Sequence, residues 1–297
     1  MKGNPLGAPI SHPGPTSPWR VPFDGSFRVK DAPTEVRWPD AEDRLAAASA
    51  RLKKLQAKLY ADDRFALLLV FQAMDAAGKD GTVKAVMSGV NPAGCQVQAF
   101  KRPSEEELDH DFLWRIYRAL PERGRIGIFN RSHYEEVLAV RVNPALLQPQ
   151  RLPRVDSDIF EERAQSICAL ERHLYRNGTI ILKFWLNVSK DEQRRRFLAR
   201  LTDPDARWKF AAGDVRERGN WEAYMSAYEA ALNETSRDWA PWYAVPADHK
   251  PTLRAFVAET IVATLEGLPL RWPVPDAEES AEMERLKAIL EAEKRSD

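Results

Sequence analysis

Residues 64–82 read RFALLLVFQAMDAAGKDGT. The first ten form a nearly unbroken apolar run of strand length, the pattern of a strand buried on both faces of a parallel sheet. A turn of small residues follows, and a helical pattern begins at its end. In that turn Ala76, Ala77, Gly78, Asp80, Gly81 and Thr82 surround Lys79. Small residues let successive backbone N–H groups turn inward on a phosphate, the next helix adds its N-terminal partial charge, and Lys79 supplies a mobile cation. The stretch therefore reads as a phosphate-binding P-loop. It departs from G-x-x-x-x-G-K-[ST] at both ends, with Ala73 for the first Gly and Asp80 for the hydroxyl residue that ligates Mg²⁺. Asp75 is then the expected carboxylate for Mg²⁺, a hard ion that prefers oxygen ligands.

Outward from this strand, further strand-like runs lie at 96–100, 125–130, 179–188 and 242–245, with helical patterns between them. That alternation predicts an α/β fold with a parallel central sheet. Before the central strand, Leu45, Leu52, Leu55 and Leu59 recur at helical spacing. Ser104 with Glu107 and Ser189 with Glu192 carry capping-box spacing just after strands. Residues 1–40, dense in Pro, Gly and Ser, are expected as a loose arm outside the main domain at 41–272. Residues 190–240 show no clear strand and are expected as a helical lid over the C-terminal edge of the sheet. Residues 273–297 are expected as a charged C-terminal helix, net acidic, with Met283, Leu286, Ile289 and Leu290 as an apolar stripe.

At 297 residues the chain is long enough for a sizeable core. No apolar run approaches the roughly 18 residues a membrane span needs. Lys plus Arg and Asp plus Glu both number 44, which excludes a bulk polycation that coats nucleic acid through net charge. A polyanion must be held by a local patch. Cys95 and Cys168 are too few for a disulfide framework, and no leader pattern opens the chain, so a cytoplasmic location is expected.

A local cationic patch is present. Arg194, Arg195, Arg196, Arg200, Arg207 and Lys209 stand against only Asp203 and Asp205. Arg196 and Arg200 lie i,i+4 and share a helix face, where guanidinium forks match phosphate oxygens. The strand at 126–130 ends in Asn130, where a Walker B Asp would sit, and is followed by Arg131-Ser132-His133-Tyr134-Glu135. An amide oxygen still ligates or orients a hydrated metal, so Asn130 joins Asp75 as a metal candidate. His133 is expected to be packed, and Trp208, Trp221, Trp239 and Trp242 to be core residues rather than a stack for adenine.

Taken together, DAAGKDGT (75–82), FKRPSEEELDHDFLWR (100–115), FNRSHYEE (129–136) and the stretch from Asp203-Pro204 through RWKF (207–210) resemble the polyphosphate kinase 2 family, over about 40–270. The resemblance implies a P-loop kinase-like three-layer α/β/α fold with a helical lid, transferring phosphate between inorganic polyphosphate and nucleotides. It implies Asp75, Lys79, Arg131 and Arg196 as the functional positions. Many members carry Asp where this chain has Asn130 and Asn where it has Glu135. The Asn/Glu combination resembles the branch called class III, which accepts both AMP and ADP and yields ADP and ATP. Glu135 is expected near the acceptor nucleotide or a second metal, and a homo-oligomer is the expected assembly. Two alternatives stay open from the residues: an ATP-dependent nucleoside monophosphate kinase, against which Ala73 and Asp80 count, and a non-catalytic nucleotide- or polyphosphate-binding protein.

Overall fold

The computed structural model describes residues 14–205, 207–210 and 212–293. Helix α1 (Ala41–Asp62) precedes β1 (Ala66–Gln72), whose seven residues are all buried, and α2 (Lys79–Val86). Then come β2 (Cys95–Ala99), the short helices α3 (Glu105–Leu108) and α4 (Trp114–Tyr117), and β3 (Ile126–Asn130). Helices α5 (Ala139–Val142) and α6 (Ile159–Arg176) lead to β4 (Thr179–Asn187). Beyond it lie α7 (Lys190–Thr202), α8 (Ala212–Gly219), α9 (Trp221–Thr235), β5 (Trp242–Pro246), α10 (Lys250–Gly267) and α11 (Ala277–Glu293).

The strands form one parallel sheet in the order β2-β3-β1-β4-β5, as expected. β1 sits at its centre because no face of it tolerates water. The chain leaves β1 toward β2 and β3, then crosses to β4 and β5, so the C-terminal end of β1 is a topological switch point where α/β folds bind ligands. Successive β4 residues show the layers, since side chains alternate across a strand. Lys183 and Trp185 meet Glu171 of α6 and Tyr228 of α9, whereas Phe184 stacks on Phe71 and Tyr243, next to Phe256 of α10. Helices therefore cover both faces, and the expected three-layer α/β/α arrangement is the one found. The fully buried Lys183 is satisfied by three hydrogen bonds, to Glu171, Tyr134 and the Thr235 carbonyl.

The expected lid narrows. Helix α9 buries Tyr228, Ala231 and Leu232 and packs on α6, so it belongs to the body rather than to a lid. Trp242 and Trp221 are buried, as expected, while Trp208 is exposed. The capping box at Ser104 and Glu107 is complete. At Ser189 only half of it forms: the hydroxyl accepts from the Glu192 amide, but the Glu192 carboxylate turns to Arg195 and Arg196 instead.

The loose arm is corrected for its described part, residues 14–40. Arg20 bridges antiparallel to Tyr243, Val21 N donates to the Trp242 carbonyl and Ala244 N to that of Trp19. Trp19 stacks on Trp38 at 5.5 Å and meets Phe256 edge-on at 4.5 Å. Prolines thin the backbone donors, but Trp19, Val21 and Trp38 supply the apolar surface that holds the segment down. Deleting residues 1–21 is expected to cost about 3 kcal/mol, from burial of one Trp and one Val, and to lower Tm by several degrees. An unchanged thermal melt would show that these contacts do not stabilise the body.

Candidate active site

β1 ends beside β3 in the register Phe71–Asn130, so the loop after one strand faces the residues that end the other. Two loop residues adopt left-handed backbone, Ala76 at φ 62° and Gly78 at φ 109°; the second is a conformation that a Cβ would oppose. Ala77 N donates back to the Met74 carbonyl, which closes the turn ahead of α2. Lys79 Nζ donates to the Ala73 carbonyl at 2.9 Å and to that of Met74 at 3.5 Å, so its chain arches back over the loop. Burial lowers the Lys79 pKa, partly offset by the Asp75 carboxylate. Thr82 Oγ1 donates to the Gly78 carbonyl and is turned into the helix.

Arg131 is held at φ 63°, an uncommon conformation for a side-chain-bearing residue and a cost the surrounding structure must offset. Its amide donates to the Phe71 carbonyl, which locks the end of β3 to β1. Nη2 donates to Asp75 Oδ1 at 2.6 Å, and Nη1 lies 4.0 Å from Glu135 Oε2. These two carboxylates, Glu135 foremost, raise the Arg131 pKa against its burial. Glu135 does not line the cleft in front of Arg131 but stands behind it, next to Gln72. With the Gln72 amide assigned from its hydrogen-bond network, its nitrogen donates to Glu135 Oε1 at 3.0 Å. Burial raises the Glu135 pKa, with Arg131 and Lys79 opposing. His133 is buried with neither ring nitrogen hydrogen-bonded, and burial lowers its pKa against the Glu171 carboxylate 3.8 Å from Nε2.

Arg196, expected with Arg200 on a face that meets phosphate oxygens, sits differently. It is buried, and its donors are spent on backbone: Nη1 on the Ala76 and Ala77 carbonyls at 3.0 and 2.7 Å, and Nη2 on those of Ala247 and Asp248 at 2.7 and 3.1 Å. Nε takes Glu192 at 2.7 Å. The neighbouring Gln193 donates to the Asp75 carbonyl at 2.9 Å. α7 thus grips the P-loop by its Asp75, Ala76 and Ala77 carbonyls and positions it. Arg200, one turn on, lines the cleft, while the Lys209 side chain lies outside the described residues.

A cleft of about 980 Å³ opens over this floor. Eight cationic side chains and three carboxylates line it, far from the balance of the whole chain. Lys101, Arg102, Lys250 and Arg254 belong to it and were not singled out in the sequence. The first two follow β2, and FKR in the quoted stretch carried that signal; the other two lie on α10, where nothing in the local pattern marks them.

Asn130 Nδ2 donates to Asp80 Oδ1, and Asn130, Asp80 and Asp75 all line the cleft. Among the described residues no three His, Cys, Asp or Glu side chains group as a metal cage. One or two carboxylates beside a phosphate loop fit Mg²⁺, which keeps several waters and shares its sites with substrate phosphates.

Residues 37–269 match the family described as Polyphosphate kinase 2 (PPK2). The chain belongs to the polyphosphate kinase 2 family. It is 56% identical over 226 residues to an ADP-polyphosphate phosphotransferase of Rhodopseudomonas palustris, covering 75% of this chain and 78% of that protein. It is 45% identical over 264 residues to an AMP/ADP-polyphosphate phosphotransferase of Meiothermus ruber, covering 87% and 96%. The crystal structure of polyphosphate kinase 2 from Arthrobacter aurescens TC1 superposes with a TM-score of 0.83 at 40% identity, over 91% of this chain and 95% of that one. Among the described residues, no helix of this polyphosphate kinase 2 family member is long and apolar enough to cross a membrane.

Proposed function

We propose that this chain is a cytoplasmic polyphosphate-dependent nucleotide kinase that transfers phosphate from inorganic polyphosphate to AMP and to ADP, with Mg²⁺ as cofactor. The observation that carries the reading is the cation-rich cleft converging on Lys79 and the P-loop. The two relatives, named for ADP and for AMP/ADP, support the substrate class.

A terminal phosphate oxygen of the acceptor attacks the terminal phosphorus of the chain. A new P–O–P link forms, the old one breaks, and the shortened chain leaves with the bridging oxygen. The acceptor phosphate is already ionised near neutral pH, so positioning and charge neutralisation carry the catalysis rather than a strong base. The loop amides and Lys79 hold the reacting phosphates. Arg131, braced by Asp75 and Glu135, presents its guanidinium to the charge that moves between them. Arg196 and Gln193 keep the loop carbonyls turned away from those anions. Asp75, with Asn130 and Asp80 beside it, would hold Mg²⁺, which when bound supplies further neutralisation of phosphate charge.

Incubation with Mg²⁺, polyphosphate and either AMP or ADP, with no ATP present, is expected to give ADP and ATP by chromatography. Failure with both nucleotides would exclude the donor and leave the ATP-dependent alternative. Acceptor range tests the two residues at the end of β3. Asn130→Asp removes the donor to Asp80 and sets two carboxylates against each other, while Glu135→Asn removes one of the two carboxylates beside Arg131. The double variant is expected to narrow the enzyme to one acceptor. If it keeps the wild-type ratio of AMP to ADP rates, these residues do not set acceptor choice.

A further inference from the structure

Strand β4 carries one charged residue in the middle of an apolar run. Lys183 stands between Leu182 and Phe184 with no exposed surface, and Glu171 of α6, equally buried, meets it at 2.6 Å. Lys183 Nζ also donates to Tyr134 Oη at 2.9 Å, and Tyr134 Oη donates onward to Glu171 Oε1 at 2.8 Å. The three groups close a ring in which the tyrosine hydroxyl accepts from one and donates to the other. The third ammonium proton goes to the Thr235 carbonyl at 2.9 Å. Stability alone does not call for this arrangement, because apolar residues of similar volume serve a core as well as an ion pair or better. What apolar residues lack is direction. The ring fixes the Tyr134 hydroxyl at one point.

Tyr134 lies three residues beyond Arg131, in a turn whose buried side chains are each tied to the body. With the Gln72 amide assigned as above, Ser132 Oγ donates to its oxygen on β1 at 3.1 Å. The Tyr134 ring meets Trp242 of β5 edge-on at 4.7 Å, and Glu136 accepts from Arg163 of α6 at 2.7 Å. Tyr134 N donates to Ser132 Oγ at 3.2 Å, which links the ring to the residue next to Arg131. Arg131 needs such support, since its φ of 63° is held only while its surroundings over-determine it. Relaxation there would swing the guanidinium off Asp75, which it now meets at 2.6 Å. Tyr134, Glu171 and Lys183 do not line the cleft, so any effect they have on the reaction passes through the turn. We infer that the Lys183–Glu171–Tyr134 ring aims Arg131 at the transferring phosphate, which makes these three buried groups positioning residues for the reaction. The inference rests on the role given to Arg131 above.

A double-mutant cycle tests it, with turnover on polyphosphate and ADP measured well below each Tm. Tyr134→Phe keeps the ring against Trp242 and removes only the hydroxyl, while Arg131→Lys keeps a cation and removes the planar fork. Tyr134→Phe is expected to lower kcat about tenfold, because a misplacement of about 1 Å far from the chemistry can cost up to about 10²-fold. KM for both substrates is expected to stay within about twofold, the mark of an interaction realised in the transition state. In the Arg131→Lys background the same change is expected to cost little, because the fork that the ring aims is gone. Losses that multiply overturn the inference, as does wild-type kcat in Tyr134→Phe or a loss confined to KM. Full turnover of Arg131→Lys would instead remove Arg131 from the reaction, and the inference with it. The apolar replacement Tyr134→Phe/Glu171→Leu/Lys183→Met is expected to melt within a few degrees of wild type yet lose at least as much kcat as Tyr134→Phe. A steep fall in its Tm beside an unchanged kcat in Tyr134→Phe would assign the ring to stability alone.

Discussion

Lys79→Ala is expected to abolish phosphate transfer while leaving the fold intact. The side chain reaches back to the Ala73 carbonyl at 2.9 Å, and burial already penalises its charge. Its loss to stability is therefore about one ordinary hydrogen bond, roughly 1 kcal/mol. In the reaction it is the point charge among the loop amides, where phosphate oxygens gather. Removing such a preorganised donor costs on the order of 10²–10³ in rate, and more if the substrate no longer registers in the loop. Turnover with polyphosphate and ADP beside a thermal melt checks both halves. Near wild-type turnover would remove the P-loop from the mechanism.

Arg196→Ala is expected to lose both stability and activity. The guanidinium satisfies four backbone carbonyls and Glu192 in a buried position, so alanine leaves those acceptors dry and a carboxylate uncompensated. Breaking such a buried, hydrogen-bonded charge costs about 3–5 kcal/mol. Arg196→Lys is expected to rescue little, because one ammonium cannot span two pairs of carbonyls as a planar fork does. Arg207→Ala, which gives up one exposed bond to the Leu201 carbonyl, is expected to stay within about 0.5 kcal/mol of wild type. Turnover measured well below each variant's Tm separates lost positioning from lost folding. If Arg196→Ala keeps its Tm yet loses turnover, the residue meets phosphate directly.

The fold was legible where a local pattern has only one reading. The run at 64–73 is too apolar for any place but the centre of a sheet, and the small residues after it leave backbone as the ligand. Asp75 and Lys79 were legible because they sit in the turn of small residues that follows this strand, whereas Arg131, just after β3, was singled out only by the family resemblance. Arg196 was found but its task was not: i,i+4 spacing with Arg200 shows a shared helix face, not which side of the P-loop that face covers. Lys250 and Arg254 were invisible because they follow β5, and their place over α2 is decided by the packing of α10 rather than by neighbours in the chain. The arm misled through its prolines. Composition predicts looseness on average, whereas Trp19, Val21 and Trp38 are specific plugs for a surface that only exists once β5 and α10 have met.

That arm has a consequence for how sheets of this kind meet each other. It lies along β5 and occupies part of that strand's outward backbone groups, whereas β2, at the other end, pairs only with β3 among the described residues. A sheet open at both ends can recruit copies without limit and grow a fibre. One stoppered at one end can be extended only from the other, so two molecules that joined through their β2 strands would leave no growing tip: the self-recognition is self-terminating, a closed twofold pair rather than a polymer.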